Sequence, residues 1–333
     1  MCAKRLRKGT KLNQVDLSDA KDRIIKIRTL EGMAQSTINQ YNIAFNDLIK
    51  FFGKEKLIAS IDLNNARDFV DWLLHEKSDK KSRFKQVAKK GVKPSSANNY
   101  LQKLRAAFNI LIREGILDEN VFSQIKNIKF QKKKVEVLTV EEIKRIFDAF
   151  NKIYYAQFRS YVLLHTLLDT LGRVEETVHL KMQDVDFEKR SVTFQNTKSK
   201  KFRIVPVSVK TIQLLQELIA DNEKLFSSEY IFLTNDGNRL RPSTFRAHLE
   251  KVLKNAGINK RFHPHLCRHT GSEMFLRQSG NIRVLQQLLG HSELSITAKV
   301  YAHVLDTTIR DEHKKYSAIN LIENHKEKIV KRK

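Results

Sequence analysis

The imidazoles of His265 and His291, the guanidinium of Arg268 and the phenol of Tyr301 stand within 37 positions. The stretch begins Phe262-His263-Pro264-His265-Leu266-Cys267-Arg268-His269-Thr270. On a helix begun near Pro264, His265 and Arg268 lie three residues apart and share a face, so both can converge on one ligand. Leu288-Leu289-Gly290-His291-Ser292 and Tyr301-Ala302-His303 follow and add a second imidazole and a phenol. Groups of these types handle phosphate. Each has a plainer reading taken alone, Tyr301 as a half-buried core residue for instance.

The bulk composition narrows the partner. The chain of 333 residues is long enough for two domains, and its 41% apolar and 30% charged residues place it among soluble globular proteins. Its formal charge of +25 makes nucleic acid the leading partner, because a polyanion releases counterions to Lys and Arg. Merely solubilising charge is the alternative. The apolar runs are short, and Lys4, Arg5, Arg7 and Lys8 precede no apolar segment, so a cytoplasmic protein without a membrane partner is expected. Cys2 and Cys267 are too far apart for a zinc knuckle or disulfide framework and read as reduced thiols.

The elements that must position these groups follow from periodicity. Ile38, Tyr41, Phe45, Leu48 and Phe52 form one helical stripe, and Leu101, Leu104, Phe108 and Leu111 form a second, after a start at Pro94-Ser95. Residues 61–76, with Trp72, and 17–30 read as two more amphipathic segments, giving a small all-helical domain. Lys77 to Lys93 carries eight Lys or Arg residues and reads as a loop or frayed helix end, with Lys77, Lys80, Lys81 and Arg83 as candidate phosphate contacts and a solvated loop as the alternative. A basic linker, holding Lys132, Lys133 and Lys134 as further DNA-contact candidates, precedes Thr139-Val140-Glu141-Glu142, a capping box. Helices follow from about 139 to 183. Then Ser191–Phe194 and Phe202–Val207 read as strands of a hairpin around Asn196-Thr197-Lys198-Ser199-Lys200. Gly290 suits the C-cap of a helix over 282–289.

With these residues in view, the sequence resembles the tyrosine recombinases, or phage-type integrases, whose signature runs His-x-x-Arg-His-Thr, then Leu-Gly-His, then Tyr. His265, Arg268, His291 and Tyr301 match it in register, over a framework of Met274, Phe275, Leu285, Leu288 and Leu289. Upstream, Thr170-Leu171-Gly172-Arg173-Val174-Glu175-Glu176 resembles the segment that carries the family's other Arg and its acidic partner, here Arg173 and Glu176. One detail departs: the family places Gly two residues before this Arg, whereas here Leu171 and Gly172 are exchanged. Lys198 matches the family's hairpin lysine, with Lys200 and Lys201 as rivals. The resemblance is strong over 135–310 and looser over the front domain, through Ser36-Thr37-Ile38-Asn39-Gln40-Tyr41. The residues before Ser36 are too few for the separate arm-binding domain of some integrases.

The resemblance implies a mainly α fold with a small β-sheet, an N-terminal helical core-binding domain plus a mixed α/β catalytic domain of the tyrosine recombinase type. The expected boundaries are a basic extension over 1–14, the core-binding domain over 15–125, a basic linker over 126–136, the catalytic domain over 137–310 and a C-terminal helix and basic tail over 311–333. That tail is either exchanged between protomers or folded back on its own domain. The implied activity is DNA breakage and reunion through a 3′-phosphotyrosyl link on Tyr301. Arg173, Arg268 and His291 would clamp the phosphoryl oxygens, His265 would take the phenolic proton, and Lys198 would protonate the leaving 5′ oxygen. Glu176 reads as support. His269 reads as a buried hydrogen-bonding histidine, and Cys267 as packing. No metal or other cofactor is expected. The implied partners are double-stranded DNA with specific sites, a homotetramer on two such sites, and accessory proteins that bend DNA or set direction.

Leu171-Gly172 and Leu266-Cys267 depart from the usual housekeeping pattern, which tilts the expected role toward integration and excision of a mobile element over chromosome-dimer or plasmid resolution. A type IB-like topoisomerase and a non-catalytic DNA-binding protein are the competing readings. Retention of all six candidate residues argues against the last.

Overall fold

The computed structural model describes residues 14–78, 90–131, 136–195, 202–260, 262–263, 265–278, 280–298, 300–301 and 304. The chain is mostly helical with one three-stranded sheet, and it divides between residues 133 and 134 into two compact units.

In the first unit, α1 (Leu17–Leu30) starts where the Asp16 carboxylate accepts from the Asp19 amide at 2.8 Å. Helix α2 (Gln35–Phe52) follows, then α3 (Leu63–His75), whose Asp62 and Asn65 form a reciprocal cap. Helix α4 (Pro94–Arg113) has proline at its first turn, where the missing N–H loses no bond. The two expected stripes are buried: Phe45, Leu48, Leu101, Leu104, Phe108 and Leu111 form the core with Phe69 and Phe122. Phe122 stands edge-on to Phe108 at 4.8 Å, and each such ring contributes roughly 1.5–3 kcal/mol of burial. Beyond α4 the chain stays tied to that helix. The Asn98 amide donates to the Ile128 carbonyl at 2.9 Å and accepts from its N–H at 2.8 Å, inside the stretch expected as linker.

The second unit opens with α5 (Val140–Asp148), capped by Thr139 and Glu142 as the sequence predicts. Helix α6 (Tyr155–Thr170) is buried on nearly every side by α8 (Val209–Leu225), α9 (Pro242–Asn255) and α10 (Leu266–Arg277). It ends at Leu171, which adopts the left-handed conformation (φ 54°). The short α7 (Val174–Thr177) leads to the antiparallel sheet β1 (Val185–Asp186), β2 (Ser191–Gln195) and β3 (Phe202–Pro206). Helix α11 (Ile282–Leu289) stops at Gly290, also left-handed (φ 64°), and residues from 294 to Tyr301 are again helical where described. No helix among the described residues is long and apolar enough to cross a membrane.

The Leu171-Gly172 exchange has a packing cause. A Cβ on Gly172 would fall 2.7 Å from the Thr177 hydroxyl and 3.0 Å from Phe194, so that position admits only glycine. Leu171 takes the left-handed turn instead, at about 1–2 kcal/mol of backbone strain. Its side chain is buried with Leu276, Leu285 and Leu289, which offsets that strain.

Candidate active site

Arg268 is the centre of the cluster. It lies on the first turn of α10 and is only 5% exposed. Its Nη1 donates to the Leu171 carbonyl at 2.7 Å, and its Nη2 donates to the Leu289 carbonyl at 2.7 Å. Both acceptors sit at helix C-termini, where unpaired carbonyls carry partial negative charge. The left-handed turn at Leu171 therefore also places one of the two anchors. Burial lowers the guanidinium's pKa to about 10, with Arg173 and Arg203 adding to the fall, so Arg268 stays protonated at neutral pH.

Arg173 caps α7, and its Nη1 donates to Glu176 Oε1 at 2.7 Å. The other oxygen, Oε2, accepts from Arg203 Nη2 at 2.7 Å. Burial pushes the Glu176 carboxyl up, but the pairs with Arg203 and Arg173 outweigh it and hold the group below its ordinary value. Glu176 thus stands as a bridge between two arginines.

His291 follows the Gly290 cap, its Nε2 3.1 Å from Arg268 Nη2 and its Nδ1 2.9 Å from the Thr297 hydroxyl. A guanidinium only donates, so Nε2 accepts and Nδ1–H points at Thr297. Burial and the neighbouring arginines lower its pKa to about 4, which leaves the ring neutral. His265 caps α10, and burial, then Arg268 and Arg173, lower its pKa as well.

Tyr301 is 3% exposed, in the apolar cluster with Leu171, Leu276, Leu285 and Leu289. Burial raises its pKa, which the Ser272 hydroxyl and the Arg268 charge partly offset. Among the described residues, the ring that meets its hydroxyl is His269, with Nδ1 at 3.1 Å, whereas the expectation from sequence aimed His265 at that proton. The reason is helical phase: His265 is the cap residue, and His269 lies one turn further along the face toward Tyr301. Burial and the charges of His265, His263 and Arg268 lower the His269 pKa to about 4, so the ring is a neutral acceptor.

The structure thus gathers Arg173, Glu176, His265, Arg268, His291 and Tyr301, along with His269. Lys198, Lys200 and Lys201 lie outside the described residues, as do Lys80, Lys81, Arg83, Lys132, Lys133 and Lys134. Lys77 is described and is tied inward: its ammonium meets Asp47 at 2.6 Å and the Tyr100 hydroxyl at 2.5 Å. Cys267 is fully buried and its thiol is pushed up to about 12, a packing residue. Arg203 is not among the candidates that the sequence motifs single out. Strand alternation carried the signal, because an inward Val205 on β3 puts residue 203 inward too.

Comparison with known proteins is consistent with this cluster. The sequence profile of the phage integrase family matches residues 136–308, and that of the phage integrase SAM-like domain matches residues 19–135. A tyrosine recombinase of Pseudothermotoga lettingae is 31% identical over 294 residues, covering 88% of this chain and 97% of its own. The tyrosine recombinase XerC of Oceanobacillus iheyensis is 29% identical over 313 residues, covering 91% and 97%. In fold, the chain is similar to the Tn1549 transposon integrase solved with transposon right-end DNA, at a TM-score of 0.71 and 20% identity, over 91% of this chain and all of that one.

Proposed function

The chain belongs to the phage integrase family and is a DNA strand-breaking and rejoining enzyme of the tyrosine recombinase kind, and from that premise we infer that Tyr301 is its nucleophile. The observation that carries the reading is the convergence of Arg268, Arg173 and His291 beside a tyrosine whose hydroxyl already has a neutral imidazole as acceptor. The Tyr301 oxygen attacks the scissile phosphorus, and the P–O5′ bond breaks. The product is a 3′-phosphotyrosyl link, and the phenolic proton passes to His269. The leaving 5′ oxygen takes a proton from Lys198, the role that the family resemblance assigns to that residue.

Arg173 and Arg268 neutralise the charge that grows on the non-bridging oxygens, Arg268 as a fixed charge whose two Nη atoms are anchored on the Leu171 and Leu289 carbonyls and Arg173 through the donors that Glu176 leaves over. His265, flanked by both arginines, is a further donor once protonated. His291 must gain a proton before its Nε2 can donate to phosphate, and the arriving negative charge favours that. Because the phosphotyrosyl link conserves the bond energy, the 5′ hydroxyl can reverse the step without ATP.

The biological role inferred is integration and excision of a mobile element at specific sites, with chromosome-dimer or plasmid resolution as the second reading. The exchanged Leu171-Gly172 pair supports the first, and the likeness to XerC favours the second. Exchanging two duplexes takes four cleavages, hence four copies of Tyr301 on two sites.

The test uses a pool of nicked duplexes with randomised sequence around the nick, which traps the covalent product. Wild type should form an adduct, and Tyr301→Phe should form none. An adduct that survives in Tyr301→Phe refutes the assignment. Sequencing the captured DNA identifies the site and separates an element's end from a chromosomal resolution site.

A further inference from the structure

The three arginines around Glu176 do not play equal parts. Arg203 sits opposite Phe194 in the β2–β3 register, and its guanidinium carbon lies 4.5 Å from the centre of that ring. Its side chain is 13% exposed. Across the site it packs on the turn before His291, where a Cβ on Gly290 would fall 3.1 Å from its Cδ. Arg203 is therefore fixed from two sides before it reaches Glu176.

Its grip on Glu176 changes what Arg173 can do. A carboxylate with one arginine partner tends to take it bidentately, which consumes both donors of the fork. Here Oε2 is held by Arg203 at 2.7 Å and by the Arg173 backbone N–H at 3.4 Å, and the Arg173 guanidinium meets Glu176 through one nitrogen at Oε1. Among the described residues the remaining Arg173 guanidinium donors have no hydrogen-bond partner and are left for another anion. Charge follows the same logic: among the described residues, and before DNA brings a proton to His291, three guanidinium charges less one carboxylate leave an excess of two with the histidines neutral. A phosphodiester carries one negative charge at rest and two in the pentacoordinate transition state, so an excess of two favours the latter.

We propose that Arg203 is a positioning residue for strand cleavage: it occupies one oxygen of Glu176 so that Arg173 keeps free donors, and it holds the cluster at two excess positive charges. This rests on the active-site reading above. Without Arg203, Glu176 closes on Arg173 and the excess falls to one.

The test is single-turnover cleavage of the captured nicked duplex, with DNA affinity and thermal unfolding measured on the same proteins. Arg203→Met should slow cleavage about 100-fold while DNA affinity changes less than about 3-fold. Adding Glu176→Gln should recover cleavage about tenfold, because it removes the charge that Arg203 offset. A role confined to packing predicts that the second change does not help. If the methionine variant does not fold, Arg203→Lys, which keeps the charge and the aliphatic stem but not the planar fork that holds Oε2, should cleave about tenfold slower than wild type. Wild-type rates in Arg203→Met or Arg203→Lys, or a double variant no faster than the single, overturn the proposal. Wild type and Tyr301→Phe run alongside: an adduct that persists in Tyr301→Phe refutes the active-site reading, whereas its loss there with unimpaired Arg203 variants refutes only the role of Arg203.

Discussion

Replacing Leu171 by alanine and by glycine should reverse the usual order of those residues. At an ordinary helical position glycine is less stable than alanine by about 0.5–1 kcal/mol. Leu171 instead has φ 54° and ψ 26°, where any residue with a Cβ is strained by about 1–2 kcal/mol. Both substitutions also empty a site that is 3% exposed and lined by Leu276, Leu285, Leu289 and Tyr301, a loss of about 2–5 kcal/mol. Leu171→Ala keeps the strain and should lose that full amount, whereas Leu171→Gly should recover about 1 kcal/mol of it. The assay must report on the second unit. Trp72, the only tryptophan, lies in the first, so its fluorescence reads the wrong half. Hydrogen exchange of amides in α6 and α10 under denaturant reads the right one. An alanine variant as stable as the glycine variant or more so would show that Leu171 is not held left-handed in solution. The anchoring of Arg268 through the Leu171 carbonyl would fall with it.

Two further outcomes follow from buried histidines. His165 stacks on Phe147 at 4.0 Å, its Nε2 is buried without a hydrogen-bond partner among the described residues, and burial, then Lys210, lower its pKa to about 4. The unfolded chain therefore binds this proton more readily. Stability should be fully present above about pH 6.5 and fall as pH drops toward 4, and His165→Leu should flatten that limb of the stability profile; an unchanged slope counts against a neutral buried His165. For the phenolic proton, His269→Ala should slow single-turnover cleavage by about 10–100-fold and remove a low-pH limb of the rate profile. His265→Ala should slow cleavage but leave that limb in place, and the opposite pattern would return the base to His265.

Much of this protein could be read along the chain. The stripes at Ile38 to Leu48 and Leu101 to Leu111 became buried faces of α2 and α4, with Phe52 partly buried at the end of the first, because a 3.6-residue period fixes which side chains share a face. The Thr139 cap, the Gly290 stop and the hairpin were equally local, since each depends on residues a few positions apart. The chemistry was legible because His265, Arg268, His291 and Tyr301 lie close in sequence and resemble a known pattern.

The order of residues thus dictates the type of each element and the identity of most of the polar groups, since propensity, capping and spacing are local properties. Which groups meet depends on how the elements pack. That packing brought Arg203 across the sheet to Glu176, placed His269 and not His265 on the Tyr301 hydroxyl, and turned Lys77 inward to Asp47. It also explained why Leu171 and Gly172 stand in exchanged order, because Phe194 and Thr177 close on the second position from outside the turn. Those partners lie far apart along the chain or depend on the phase of a packed helix, and neither distance through space nor phase against a neighbour is written in the order of residues.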